Sequence, residues 1–104
     1  MKINKVVIDY DIRGWAKDKE KYISKKYKKL IIVGAEKALP MKSDDKKIGA
    51  YSYRNNCDIL TADKTAYVDY FKNKKIKSVK ITQFALYKKG DKPIYLVRLI
   101  KNVI

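Results

Sequence analysis

The stretch "ILTAD", residues 59 to 63, is a short apolar run that ends on a single carboxylate. The same arrangement occurs near the start of the chain, where "KVVID" at residues 5 to 9 is also closed by an acid. Apolar runs of this length are typical of buried strands. Two strands are therefore predicted, one ending at Asp9 and the other at Asp63.

Strands and helices alternate along the rest of the chain. The predicted elements are a helix at 15–27, a strand at 30–33, a loop at 34–42, a helix at 43–56, a strand at 58–62, a helix at 64–73, a strand at 77–81 and a hairpin at 84–100. This order predicts an α/β fold, a three-layer α/β/α domain with a mostly parallel central sheet and a C-terminal β-hairpin. Residues 1–104 are predicted to form one domain.

The charge balance points to a polyanionic partner. Twenty-six Lys and Arg against eleven Asp and Glu give a formal net charge of +15. A field of this size attracts polyanions and speeds their encounter, so nucleic acid is the expected partner. An alternative explanation is genome composition or growth at high temperature, which also enriches surfaces in lysine.

Missing residue types exclude several chemistries. The chain contains no His, which excludes imidazole bases and His-ligated metals, and the lone Cys57 excludes an internal disulfide. We expect Cys57 to be a small buried hydrophobe. No run approaches the roughly 20 apolar residues of a membrane span, so a soluble, cytoplasmic protein without membrane contact is expected.

Acidic residues recur at the junctions that follow strands or open helices. In parallel α/β folds, ligands bind outside the carboxyl ends of the strands. Four acids are expected at that side of the sheet: Asp9, Asp11, Asp45 and Asp63. In the helix at 43–56, Ser43 is the predicted N-cap and Asp44 a helix-dipole acid. Asp45 shares a face with Ile48 and Ser52, which predicts that it leans toward the core.

Converging carboxylates repel each other unless a cation lies among them. Oxygen-only ligands suit Mg²⁺ or Mn²⁺, which bind through carboxylates, waters and phosphate oxygens. Such an ion can activate water and polarise a phosphodiester without any His. The residues therefore suggest a Mg²⁺ or Mn²⁺ site made by Asp9, Asp11, Asp45 and Asp63.

The order of these motifs resembles the PIN and PIN-like domains. The resemblance rests on an Asp ending the first strand, on "DKKI" at 45–48 with the small Ser52 after it, and on "DILTAD" at 58–63. It covers most of residues 5 to 81 in order. Those domains are compact Mg²⁺- or Mn²⁺-dependent ribonucleases that are common in toxin-antitoxin pairs.

The resemblance implies an endoribonuclease that hydrolyses single-stranded RNA and has an antitoxin-type protein partner. Asp9, Asp45 and Asp63 would be its catalytic residues, and Thr61 would support them as the Thr of the family's "T-x-D" motif. Many members supply a further acid, often Glu. Here Glu20 and Glu36 match no motif position, and Asp11 is the candidate for that role.

Simpler roles stay open for each residue. Asp9 could be a strand-end turn residue, Asp45 a first-turn dipole acid and Asp63 a helix cap. The candidate nucleic-acid-binding residues could equally be solvated charges; they are Arg13, Lys46, Arg54 and Lys64.

Two other functions compete with the nuclease. One is a non-catalytic nucleic-acid-binding protein that uses the lysine field and stacks bases on tyrosines such as Tyr51 and Tyr53. The other is a receiver-like phosphoacceptor domain with Asp63 as the acceptor. The hairpin at 84–100 either forms the edge of a homodimer or completes the sheet.

Overall fold

The computed structural model describes residues 3–63, 79–89 and 92–99, with the backbone alone for 79–89, Lys92, Pro93 and Leu99. Its strands are β1 (Lys5–Ile8), β2 (Lys29–Ile32), β3 (Cys57–Thr61), β4 (Val79–Lys89) and β5 (Lys92–Leu99). Its helices are a 3₁₀ helix (Tyr10–Ile12), α1 (Arg13–Asp18), α2 (Glu20–Ser24) and α3 (Asp45–Asn55). The chain is thus a mixed α/β protein. The predicted helix at 64–73, with Lys64, lies outside the described residues.

The five strands form one open sheet in the order β2-β1-β3-β5-β4. Strand β1 pairs in parallel with β2 and β3, whereas β5 is antiparallel to both β3 and β4. Residues 79–81 of the predicted strand at 77–81 do lie in a strand, and residues 77 and 78 lie outside the described residues. The predicted separation of this strand from the hairpin is wrong, because β4 continues to Lys89 at the edge of the sheet, and β5 lies next to β3. Antiparallel neighbours can be joined by a short connection, whereas parallel neighbours need a crossover. Strand β5 begins three residues after β4 ends, which fits their antiparallel pairing.

Apolar side chains cover both faces of the parallel strands. On β1, Val7 belongs to one cluster of buried residues, while Val6 and Ile8 belong to a second. The same alternation assigns Ile59 of β3 to the first cluster and Leu60 to the second. Side chains in a strand alternate between faces, so one short strand supplies two cores. Helix α3 packs on the first face, and α1 and α2 pack on the second.

The N-cap of helix α3 lies one residue later than the predicted Ser43. Asp44 is the N-cap, and its carboxylate accepts a 2.8 Å hydrogen bond from the backbone N–H of Lys47. The hydroxyl of Ser43 instead donates to the carbonyl of Pro40 across 2.7 Å and closes the preceding turn. Ser43 was therefore the wrong residue for the cap, because its hydroxyl is used one turn earlier. The helix ends at Asn55 and is capped by Asn56, whose left-handed backbone (φ 55°) is a common helix terminus.

The predicted single helix at 15–27 is two short helices that meet at Lys19. Helix α1 starts at Arg13, two residues before the predicted boundary, and α2 ends at Ser24. Trp15 and Ile23 are both buried against the sheet. The apolar spacing continues across the break, so the pattern cannot distinguish two short helices from one. No described helix is long and apolar enough to cross a membrane.

Candidate functional site

Two acids lie where the adjacent strands β1 and β3 end. The strands are parallel and in register, with Ile8 opposite Leu60. The backbone N–H of Asp9 donates to the carbonyl of Leu60 across 3.0 Å, which extends the ladder by one residue. Asp9 is therefore fixed beside the end of β3, at the carboxyl edge of the parallel strands.

The side chain of Thr61 joins the two acids. Its hydroxyl donates a 2.8 Å hydrogen bond to Oδ2 of Asp9 and accepts a 3.0 Å hydrogen bond from the backbone N–H of Asp63. Thr61 is buried, whereas Asp9 is half-buried and Asp63 is exposed. The buried hydroxyl of Thr61 both donates and accepts a hydrogen bond. Losing either partner costs free energy, because water does not reach the buried hydroxyl to replace it. We call Asp9, Thr61 and Asp63 the acidic site.

The second oxygen of Asp9 has a structural partner as well. Its Oδ1 accepts a 2.8 Å hydrogen bond from the backbone N–H of Tyr10, which caps the 3₁₀ helix. The turn role predicted as the alternative for Asp9 is thus present. It does not conflict with ligand binding, because carboxylates that hold metals are commonly hydrogen-bonded to neighbours that orient them.

Asp11 and Asp45 lie near the same end of the sheet but are placed differently. Asp11 is exposed in the 3₁₀ helix that follows β1. Asp45 is the first residue of α3, which runs back along the sheet after β2 has ended. The expectation that Asp45 leans into the core is wrong, because it is exposed although Ile48 and Ser52 on its face are buried. Asp45 is in the first turn of α3, which the sheet does not cover.

Across residues 3–63 and the described parts of β4 and β5, no group of three or more His, Cys, Asp or Glu residues could hold a metal ion. The four-carboxylate metal site suggested by the sequence stays a prediction. The hydrogen bonds of Thr61 bring together a smaller set, which is the carboxylate of Asp9, the hydroxyl of Thr61 and the backbone of Asp63. Two carboxylates suffice for Mg²⁺ when waters and substrate phosphates complete its shell.

The candidate nucleic-acid-binding residues are spread over the molecule. Arg13 follows the 3₁₀ helix and is exposed, and its guanidinium carbon lies 3.7 Å from the centre of the Tyr10 ring. Lys46 is exposed in the first turn of α3, and Arg54 is exposed in its last turn. An eleven-residue helix is about 16 Å long, so Arg54 lies well away from Asp45. Among these, Arg13 is nearest in the chain to Asp9.

A buried polar network that was not predicted from the sequence lies on the second face. Asp58 is fully buried in β3 and accepts a 2.7 Å hydrogen bond from the hydroxyl of Tyr27. Arg98 of β5 donates to the same carboxylate from Nε and Nη2, with Nη2 2.7 Å from Oδ2. Burial, reinforced by the hydrogen bond to Asp58, raises the pKa of the Tyr27 phenol. The hydrogen bonds to Asp58 raise the pKa of Arg98.

A signal for this network was present in the sequence. Asp58 stands inside the apolar stretch "CDILT", and a carboxylate in a fully buried strand requires paired partners. The identity of those partners was not readable. Asp58 lies three residues before Thr61 in β3, and the network's hydrogen bonds are satisfied within the protein, so it is a structural element of the core.

Comparison of the chain with protein-family models, with curated protein sequences and with solved structures finds no match in any of the three. The resemblance to PIN-like domains therefore rests on the motif residues alone. Fold and site together define a small basic α/β protein with acidic residues at the carboxyl edge of its parallel strands.

Proposed function

We propose that this protein is a metal-dependent endoribonuclease with a three-layer, PIN-like arrangement. The observation that carries the proposal is the hydrogen bond from Thr61 to Asp9, because it links the "T-x-D" motif to the acid that follows the first strand. Ligand sites in open α/β sheets occur at this edge. The resemblance to PIN-like domains also supports an antitoxin-type protein partner.

Asp9 and Asp63 are the residues that would hold Mg²⁺ or Mn²⁺, with Asp45 and Asp11 as further ligands. When bound, such an ion stabilises charge on a phosphodiester and lowers the pKa of a coordinated water. Thr61 orients Asp9 through its hydroxyl and fixes the backbone of Asp63. The chain's own contribution is thus to orient the carboxylate of Asp9 and to fix the backbone that carries Asp63 at the same sheet edge.

An acidic site does not itself attract RNA. The net charge of +15 supplies that attraction. Lysines spread over the surface hold a phosphate backbone without sequence preference. Single-stranded RNA is the substrate that the family resemblance favours over DNA.

The test is cleavage of single-stranded RNA in Mn²⁺ or Mg²⁺, with chelator as a blank. Asp63→Asn keeps the shape of the side chain and removes its charge, so we expect turnover to fall to the blank. Asp18→Asn is the matched control, because Asp18 is an exposed acid at the end of α1 and outside the acidic site. Equal turnover by wild type and Asp63→Asn would overturn the proposal.

A second function is favoured by the lack of a three-carboxylate group among the described residues. In this case the protein binds nucleic acid through its basic surface and cuts nothing. Binding would then be independent of metal and would weaken steeply with salt. Chelator-sensitive turnover in the assay above would exclude this function.

A further inference from the structure

Arg13 makes two contacts with Tyr10, the residue that follows Asp9 of the acidic site. Its guanidinium lies on the face of the Tyr10 ring, with 3.7 Å between the guanidinium carbon and the ring centre. Its Nη1 also donates a 2.9 Å hydrogen bond to the carbonyl of Tyr10. Stacking and hydrogen bonding from the same residue restrict a side chain that would otherwise sample many rotamers.

Tyr10 is itself well fixed. It packs against the apolar cluster that contains Val7 and Ile48, and its backbone N–H donates to Asp9. The loop at Gly34 approaches the ring so closely that a Cβ there would lie 3.0 Å from Cε2 of Tyr10. The ring of Tyr10 is therefore a rigid support. The backbone N–H of Tyr10 is hydrogen-bonded directly to Asp9 of the acidic site.

The guanidinium of Arg13 keeps most of its hydrogen-bonding capacity. A guanidinium carries five N–H donors, and the described contacts of Arg13 use one of them. Within the described part of the chain Arg13 forms no ion pair, although Asp9 and Asp11 are close in sequence. An exposed, pre-ordered fork of donors matches the oxygens of a phosphate.

We infer that Arg13, supported by Tyr10, is a phosphate clamp that binds a phosphodiester group of the nucleic acid strand next to the acidic site. The inference deepens the proposed function and rests on it for the nature of the ligand. The lysine field attracts a strand to any part of the surface, whereas this clamp sets where one phosphate lies relative to Asp9. Arg13 is thus a substrate-binding residue.

Binding is measured separately from cleavage, with chelator present, by fluorescence anisotropy of a short labelled single-stranded RNA. Arg13→Ala should weaken binding about tenfold, because a charge-assisted, two-point contact is lost. The slope of log K against log salt should fall by about 0.7, as expected for one phosphate contact on a single strand. Arg13→Lys should recover only part of the affinity, since an ammonium lacks the planar fork.

Lys26→Ala is the matched control. Lys26 is also a cation over a tyrosine, 5.5 Å from the centre of the Tyr22 ring, but it lies at the other end of the sheet. That position follows from Lys28, two residues further on, whose N–H donates to the carbonyl of Asn4 just before β1. Loss of its charge should weaken binding no more than about twofold, through the general field alone.

Tyr10 variants test the support. Tyr10→Phe keeps the ring and should bind like wild type, while Tyr10→Leu should reproduce the loss seen in Arg13→Ala. Denaturation midpoints confirm that each variant is folded. Equal binding by Arg13→Ala and Lys26→Ala would overturn the inference.

The two proposals fail in different ways. If neither wild type nor any variant cleaves RNA, but Arg13→Ala still weakens RNA binding, the nuclease function is excluded and the phosphate clamp is supported. If wild type cleaves RNA and Arg13→Ala changes neither Kd nor KM, the nuclease stands and the clamp is excluded.

Discussion

The hydroxyl of Thr61 lies 2.8 Å from the carboxylate of Asp9, across 52 residues of chain. This bond joins the ends of two parallel strands, and the buried position of Thr61 keeps water from competing for it. It is the contact that turns two separate sequence motifs into one acidic site. Removing it should therefore affect function more than stability.

Thr61→Val replaces the hydroxyl with a methyl group of similar size. Loss of an orienting hydrogen bond to a metal-holding carboxylate should lower RNA cleavage about 10- to 100-fold. The free energy of unfolding should fall by about 1–2 kcal/mol, because the N–H of Asp63 and the carboxylate lose a partner. Both are measured on the purified variant, and Thr61→Ser serves as the control because it keeps the hydroxyl. Wild-type turnover by Thr61→Val would contradict the role given to Thr61.

Arg98→Ala removes the cation that pairs with the fully buried Asp58. Among the described residues, the carboxylate then keeps only the hydrogen bond from the hydroxyl of Tyr27. A buried charge without a compensating cation is strongly destabilising. The side chain of Arg98 is 44% exposed, which screens part of the interaction, so we expect a loss of about 2–3 kcal/mol in urea unfolding. Arg54→Ala, which removes an exposed arginine from α3, should change stability by less than about 0.5 kcal/mol. Equal effects of the two variants would show that the pair contributes nothing.

Alkaline pH should destabilise the protein through Tyr27. Burial and the hydrogen bond to Asp58 raise the pKa of this phenol above the ordinary 10.0, so the folded state keeps a proton that the unfolded state releases. The stabilising contribution is complete below pH 10 and decreases as the pH rises further. By pH 11 the loss should be about 1 kcal/mol.

Tyr27→Phe isolates this effect, because other groups titrate in the same range. The difference in unfolding free energy between wild type and Tyr27→Phe should narrow between pH 9 and pH 11. A difference that stays constant over this range would mean that the phenol titrates normally in the folded state.

Gly34→Ala should destabilise the loop behind Tyr10. Gly34 has φ 97°, where side chains are strained, and the new Cβ would lie 3.0 Å from Tyr10. We expect a loss of about 1–3 kcal/mol in the free energy of unfolding. Gly14→Ala is the control: Gly14 lies in α1 with no atom within 4 Å of its added Cβ, and helix propensity predicts a gain of up to about 1 kcal/mol. Loss of stability in both variants would contradict this explanation.

Local patterns in the sequence predicted the strands around Val7 and Ile59 and the helix around Ile48. They did so because alternation, helical spacing and capping depend on neighbours within a few residues. The ends of strands are readable for the same reason, so Asp9 and Asp63 could be named before the structure. The choice of Ser43 over Asp44 as the cap failed because adjacent residues can exchange capping roles.

Contacts between distant residues depend on how the strands are ordered, and no local pattern contains that order. The pairing of Asp58 with Arg98 arises because β5 enters the sheet beside β3, forty residues away along the chain. The bond between Thr61 and Asp9 likewise requires β1 and β3 to be neighbours in register. The Tyr10 ring on which Arg13 stacks likewise meets Gly34, which lies more than twenty residues further along the chain. Sequence spacing therefore predicts which residues end each element, and the packing of those elements selects which of them meet.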